Sequence, residues 1–267
     1  MMMNKWLVLF SKEWMELVRS YKLLWVPLVF ILYGAMQPVT TYFLPDILAN
    51  AGNLPEGAVI SIPLPTAEEV MATTLQQFGT IGLLIVALSV MGGISAERTS
   101  GVTAIILVKP ISHFAYVSAK WSAMLVLILI AFAGGFGAAW YYTAALFKNV
   151  DWHSSLLAFL LFALWLGFVG SLTLLFSALL RSGAAAAACA LGIAAALALT
   201  ASAFPKALAA SPGMLPQAAA ERFAATATAS AAGAIANPWL PAATALLAMA
   251  AVLAIAAWAV RRRPTLD

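Results

Sequence analysis

Glu97-Arg98-Thr99-Ser100-Gly101, with Lys109-Pro110 and Lys120 behind it, forms a charged segment punctuated by Gly and Pro. The segment lies between two membrane-length apolar runs. Its residue types serve recognition better than catalysis. A carboxylate, a guanidinium and two ammonium groups, punctuated by Gly and Pro, make a docking surface for another protein. Motifs that would carry catalysis are missing from the sequence. No Gly-x-x-x-x-Gly-Lys-Ser/Thr cradles a phosphate, no His-Glu-x-x-His holds a metal, and no Gly-x-Ser-x-Gly presents a nucleophile. The two histidines, His113 and His153, fall in loops on opposite sides of the expected topology and cannot share an ion.

Composition sets the elements that must position this segment. Of 267 residues 64% are hydrophobic and 9% charged, against about 25% charged in soluble domains. Such a chain cannot cover itself with polar surface, so its solvent is lipid. The net charge of +4 is no nucleic-acid signature, because the basic residues sit scattered at the ends of apolar runs. The single cysteine, Cys189, lies inside one such run, which excludes an internal disulfide framework. The N-terminus is charged before its first apolar run and lacks a small-x-small cleavage site, so it does not read as a secretory signal.

Six runs reach the roughly 20 residues that cross a bilayer as helix: about 23–44, 78–96, 121–147, 155–180, 184–204 and 240–260. They are continuous and lack period-2 alternation, which favours an all-α six-helix bundle over a barrel. The expected division is an amphipathic helix at 1–22, one transmembrane domain at 23–260 and a basic tail at 261–267. With both termini in the cytoplasm, Lys5, Lys12, Arg19, Lys22, Arg98, Lys109, Lys120, Arg181 and Arg261 to Arg263 lie inside. Only Lys148, Lys206 and Arg222 lie outside, so the orientation satisfies the positive-inside rule. The alanine-rich stretch 214–237 resembles a seventh span. Glu221 and Arg222 within it, and Pro212, Pro216 and Pro238 around it, make it an external or re-entrant helix packed on the bundle.

Three pieces flank the bundle. In the first helix a wheel puts Trp6, Leu7, Phe10, Trp14, Leu17, Val18 and Tyr21 on one side. Lys5, Lys12, Glu16 and Arg19 fall opposite, with Glu13 at the border. It reads as an interfacial helix, either a plain anchor or an elbow that transmits movement into the first span. In the first external loop Thr66-Ala67-Glu68-Glu69 is a capping box, predicting a helix from Ala67 into the second span. Within 97–120, Ser100 is expected to cap a short helix starting near Val102 and ending at Pro110. Val102, Ile105 and Ile106 would share an apolar face that lies on the membrane or docks in a partner's groove. No ionisable residue falls at mid-bilayer, which disfavours a proton-coupled carrier. Polar residues within spans, notably Gln37 and Thr41, read mainly as packing and secondarily as a pathway lining.

The order of these elements resembles the six-span permease subunits of type-2 ABC transporters, the bacterial ABC-2 exporters. The resemblance rests on the first helix with Lys12-Glu13-Trp14 and on Glu97-Arg98-Thr99-Ser100-Gly101-Val102 after the second span. It also rests on Ile106-Leu107-Val108-Lys109-Pro110-Ile111-Ser112 and on the Leu179-Leu180-Arg181-Ser182 turn. Val102 stands where the family has Thr, and His113 where it often has Arg. The resemblance implies a bacterial plasma-membrane protein that is not itself an enzyme and binds no cofactor. ATP and Mg would sit on a separate cytosolic ATPase dimer, and a second copy or a related permease would complete the pathway. Glu97, Arg98, Gly101, Val102, Ile105, Ile106, Lys109 and Pro110 are then the coupling residues. Two other readings stay open: a non-transport membrane module that docks a soluble partner through 97–120, and a secondary carrier.

Overall fold

A computed structural model describes residues 2–50, 64–108, 111–148, 150–227 and 237–262. Among the described residues there are helices and no strands, and six helical stretches are long and apolar enough to cross a membrane. The expected six-helix class is therefore what the chain adopts. The helix α1 (Met2–Arg19) leads through Ser20 and Tyr21 into α2 (Lys22–Asn50), the first span. The second span is assembled from α3 (Ala67–Gln77), a π-helical turn (Phe78–Gly82), α4 (Leu83–Val90) and, after a turn at 91–94, α5 (Ser95–Thr99). A short α6 (Val102–Leu107) precedes α7 (His113–Phe147), α8 (Trp152–Leu179) and α9 (Gly183–Ala203). A 3-10 turn (Pro212–Met214), α10 (Leu215–Ala227) and the last span, α11 (Trp239–Arg262), complete the order.

Local chemistry explains most boundaries. Thr66 accepts from the Glu69 backbone while the Glu69 carboxylate takes the Thr66 N–H at 3.0 Å, so α3 starts where the capping box predicts. Ser112 caps α7 by accepting from Ala115 N–H, Asp151 caps α8 through Ser154, and Ser182 caps α9 through Ala185. Two helices run past the bounds expected for their spans: α2, with a span expected at about 23–44, continues through Pro27, Pro38 and Pro45 to Asn50. Proline is tolerated in spanning helices because neighbours re-satisfy the freed backbone groups. The third helix begins at His113, ahead of the span expected at 121–147, and Ser112 caps its start. Tyr116 and Lys120 thereby stand one turn apart on a helix.

The centre of the bundle is α8, buried along most of its length from Leu161 to Ala178, with α7, α9, α10 and α11 packed around it. Phenylalanines knit α2, the π turn, α7 and α8 together. Phe30 stacks on Phe78 at 5.5 Å, Phe78 meets Phe132 edge-on at 5.5 Å, and Phe132 stacks on Phe162 at 5.3 Å. The closest approach joins α2 and α7. A Cβ on Gly34 would strike the Gly135 carbonyl, and one on Gly135 would lie 2.6 Å from the Phe30 oxygen. This is small-residue packing of the sort that holds helices together where lipid removes the hydrophobic drive.

Among the described residues, the stretch read as a candidate seventh span contributes α10 (Leu215–Ala227) and no helix long and apolar enough to cross a membrane. It packs on α3 and α8 through Leu215, Ala218, Ala219 and Phe223. On its polar side Gln217 donates to Glu221 at 2.9 Å. Residues 228–236 of that stretch lie outside the described residues.

The Gly34–Gly135 contact yields a direct test. Gly34→Val should force α2 off α7 and lower the thermal midpoint in detergent, at a cost of about 1–3 kcal/mol for overpacking. Gly79→Val, where a Cβ meets nothing within 4 Å, should change it far less.

Candidate functional site

At one end of the bundle α1, α5 and α7 bring charged side chains from three distant stretches into one buried cluster. Glu13 on α1, Glu97 on α5 and Lys120 on α7 are buried, Lys120 with 3% of its side chain exposed. The Lys120 ammonium stands 2.9 Å from both Glu13 oxygens and 3.0 Å from Glu97 Oε1. Lys12 closes the ring, pairing with Glu97, with Glu13 at 2.9 Å and with the more exposed Glu16 at 3.2 Å. Tyr116 donates its hydroxyl to Glu97 Oε2 at 2.5 Å. Its ring lies under Lys120 at 5.3 Å, and its oxygen reaches Thr103 of α6 at 3.4 Å.

Charge balance makes the cluster possible. Two carboxylates, Glu13 and Glu97, face two ammonium groups, Lys12 and Lys120. Each buried ion costs several kcal/mol to dehydrate, and only close, multiply bonded partners offset that. Partial burial by itself would lower the Lys12 pKa. The Glu97 hydrogen bond and the Glu13 and Glu97 charges outweigh it, holding Lys12 well above the ordinary lysine value and fully charged. Glu13, Glu16 and Glu97 are close enough together to suggest a cation site, but the ammonium groups already occupy that position.

The cluster also sits on a fixed floor. Ser177 of α8 accepts the backbone N–H groups of Ile94 and Ser95, each at 3.0 Å, which anchors the start of α5. Arg98, 4% exposed, donates to the Ala178 carbonyl near the end of α8. Lys22, the first residue of α2, donates to the Ser89 carbonyl at 2.8 Å, near the end of α4. Trp6 of α1 adds an indole hydrogen bond to Ser118 of α7 at 3.1 Å.

From this floor α6 projects. Gly101 has φ +76°, a conformation glycine adopts at little cost, and it turns the chain from α5 into α6. Ser100 is not the N-cap of α6 as expected. It terminates α5, its hydroxyl donating to the Glu97 carbonyl at 3.3 Å. The expected shared face of α6 splits. Ile106 leans against the core and Val102 is half-buried, while Ile105 and Val108 are 71% and 86% exposed. Thr103 is fully buried. Lys109 and Pro110 lie outside the described residues.

Other sequence-derived sites resolve differently. Glu97 and Arg98, expected to present charge to a partner, are instead turned inward by α1 and α8. Lys12 and Glu13 belong to the cluster, while half-buried Trp14 continues a stacked row, Trp6 on Phe10 at 5.4 Å and Phe10 on Trp14 at 6.3 Å. The apolar side read from the α1 wheel is divided. Leu17 packs against the core, whereas Leu7, Val18 and Tyr21 are exposed. Gln37 and Thr41 share a hydrogen bond at 3.3 Å, and Gln77 donates to Gln37, so the structure uses them to tie α2 to the end of α3. Sequence reasoning did not single out Tyr116 and saw Lys120 only as a basic residue at a span end. Their four-residue spacing on a helix was the available signal.

Comparison with known proteins agrees with this architecture. Residues 7–263 match the model of a family described as ABC-2 family transporter protein. The chain is also 40% identical over 203 residues to YxlG of Bacillus subtilis (strain 168), an uncharacterized transmembrane protein. The alignment covers 76% of this chain and 79% of that relative.

Lys120→Met should remove the ion both carboxylates share. The expected loss is about 3–5 kcal/mol of stability, the cost of stranding a buried charge, read as a lowered unfolding midpoint. Lys12→Met, at a side chain 37% exposed, should cost clearly less.

Proposed function

Because this chain belongs to the ABC-2 family of transporter proteins, we propose that it is the permease subunit of an ATP-driven exporter whose ATPase resides on separate chains. The chain is a multi-pass membrane protein with six apolar spans. In this reading both ends of the chain and the segment carrying α5 and α6 face the cytoplasm, with 11 basic residues on that side against three on the other. Two ATPase subunits bind below, and a second permease, identical or related, completes the pathway.

The observation that carries the proposal is the contrast within a few residues of chain. Ile105 and Val108 stand exposed at the tip, while Glu97, Arg98 and Thr103 beside them are locked into the bundle. An exposed apolar tip on a rigid base suits a helix that inserts into a groove of a soluble motor. Force on α6 passes through Thr103 and Tyr116 to α7, and through Glu97 and the lysines to α1 and α7. When the ATPases close on ATP, the permease shifts between populations with the pathway open to one side or the other.

The expected partner gives the test. Ile105→Asp, at a site too exposed to alter stability by more than about 0.5 kcal/mol, should abolish co-purification with the ATPase and lower its permease-stimulated hydrolysis at least tenfold. Full stimulation by this variant would refute the docking role of α6. In a chain with Cys189→Ala, a cysteine at position 105 should react with a membrane-impermeant maleimide in inverted vesicles and not in intact cells. Labelling from the outer medium would overturn the orientation.

A further inference from the structure

The outer half of the seam between α2 and the second span carries hydrogen-bonding groups that the fold does not use. Tyr33, Gln37 and Thr40 follow one another at four- and three-residue steps along α2, so they share one stripe. Gln76 and Gln77 at the end of α3 and Thr80 in the π-helical turn form the neighbouring stripe. Gln77 donates to Gln37, and Tyr33 meets Phe78 edge-on at 5.8 Å, which sets the two stripes side by side. From Lys22, the first residue of α2, to Gln37 is about 22 Å of helix, within a hydrocarbon core of about 30 Å.

Exposed hydroxyls elsewhere on the spans return to their own helices. Thr73, Thr80, Thr200 and Ser202 each donate to a carbonyl about one turn back. The hydroxyls of Tyr33 and Thr40 and the Gln76 amide have no such partner among the described residues. Permanent packing leaves few polar groups unmet, and hydrocarbon offers these none. Space stands open beside them, since a Cβ on Gly79 would meet nothing within 4 Å.

The chemistry of the seam selects what can lie there. No Asp, Glu, Lys, Arg or His falls within 23–45 or 70–96, so an ion would be stripped of water with nothing to pair with. Hydroxyls and amides both donate and accept, which suits them to other hydroxyls. Toward the inner side the line from Thr80 continues at four-residue spacing through Leu84 and Leu88, 49% and 46% exposed. The polar stretch therefore gives way to an apolar one.

We propose that this seam receives the exported molecule, and that the molecule is an uncharged amphiphile. Its hydroxyl-bearing end bonds Tyr33, Thr40 and Gln76, and its tail lies along Leu84 and Leu88. Gln37 and Gln77, bonded to each other, hold the shape of the seam. The proposal rests on the exporter reading and names the class of molecule carried.

Cysteine labelling of the full chain in outward-oriented membrane vesicles, in a Cys189→Ala background, tests it. Thr40→Cys and Thr80→Cys should react with a charged methanethiosulfonate added outside. Phe43→Cys lies nearer the outer surface of α2 but faces lipid, and should react at least tenfold more slowly. Octyl glucoside below its micelle concentration should slow labelling of Thr80→Cys at least fivefold, and octyltrimethylammonium at equal concentration should not. Tyr33→Phe, which keeps the ring and removes the hydroxyl, should weaken that protection several-fold. Equal rates at all three positions, fast or slow, would overturn the proposal. Disulfides between Thr80→Cys copies in place of labelling would also overturn it, making the seam a contact between copies. Equal protection by the two amphiphiles would refute the uncharged class. These readouts need no ATPase, so their failure leaves the Ile105→Asp result standing, and lost docking there leaves the labelling standing.

Discussion

The organisation of this molecule depends on putting four charges where charges are expensive. Glu13, Glu97, Lys12 and Lys120 come from three helices far apart in the chain. None of the buried ions could remain ionised alone at low cost, so each requires the others in place. The requirement is directional in a way that apolar packing in lipid is not. Hydrocarbon surfaces slide against one another with little penalty, whereas Lys120 keeps both carboxylates only if α1 stays in register with α5 and α7. The cluster therefore fixes where α1 lies and how the exit from the second span is held.

The remainder of the bundle complements this with close packing and short polar links. Gly34 against Gly135 brings α2 onto α7, and a run of phenylalanines carries that contact through to α8. Ser177 and the Ala178 carbonyl of α8 then hold α5 from the far side. The turn at 91–94 is thus flanked by fixed points, Lys22 on the Ser89 carbonyl before it and Ser177 after it. What projects beyond these fixed points is α6 with Val108 just after it, where Ile105 and Val108 are exposed apolar side chains.

Much of the fold was legible because lipid imposes simple rules. Run length gave the six spans, and the Thr66–Glu69 box gave the start of α3. Helix α2 runs past the expected 23–44 span through Pro45, since the rule that proline ends helices weakens where neighbours can compensate. At the site, the sequence offered residue types but not their environment. A charged stretch between two spans reads by default as solvated surface, and Glu97 and Arg98 were read that way. Nothing local announces that Lys120 meets Glu13, 107 positions away, or that Arg98 reaches the end of α8. Glu13 at the border of the α1 wheel was the one hint that this helix has a third, bundle-facing side. Ser100 was misplaced because a serine can close the helix before it as readily as open the one after it.

The central claim is that the ion cluster fastens α1 to the α5–α6 turn as one unit. Electron-spin distance measurements between labels at Ser11 on α1 and Ser100 at the end of α5, both exposed, address it without reference to any partner. The account predicts a single narrow distance distribution in the wild-type background that becomes broad in Lys120→Met, while labels on α8 and α11 keep theirs. An equally narrow Ser11–Ser100 distribution in Lys120→Met would show that apolar packing alone holds the two elements, and the cluster would lose its role.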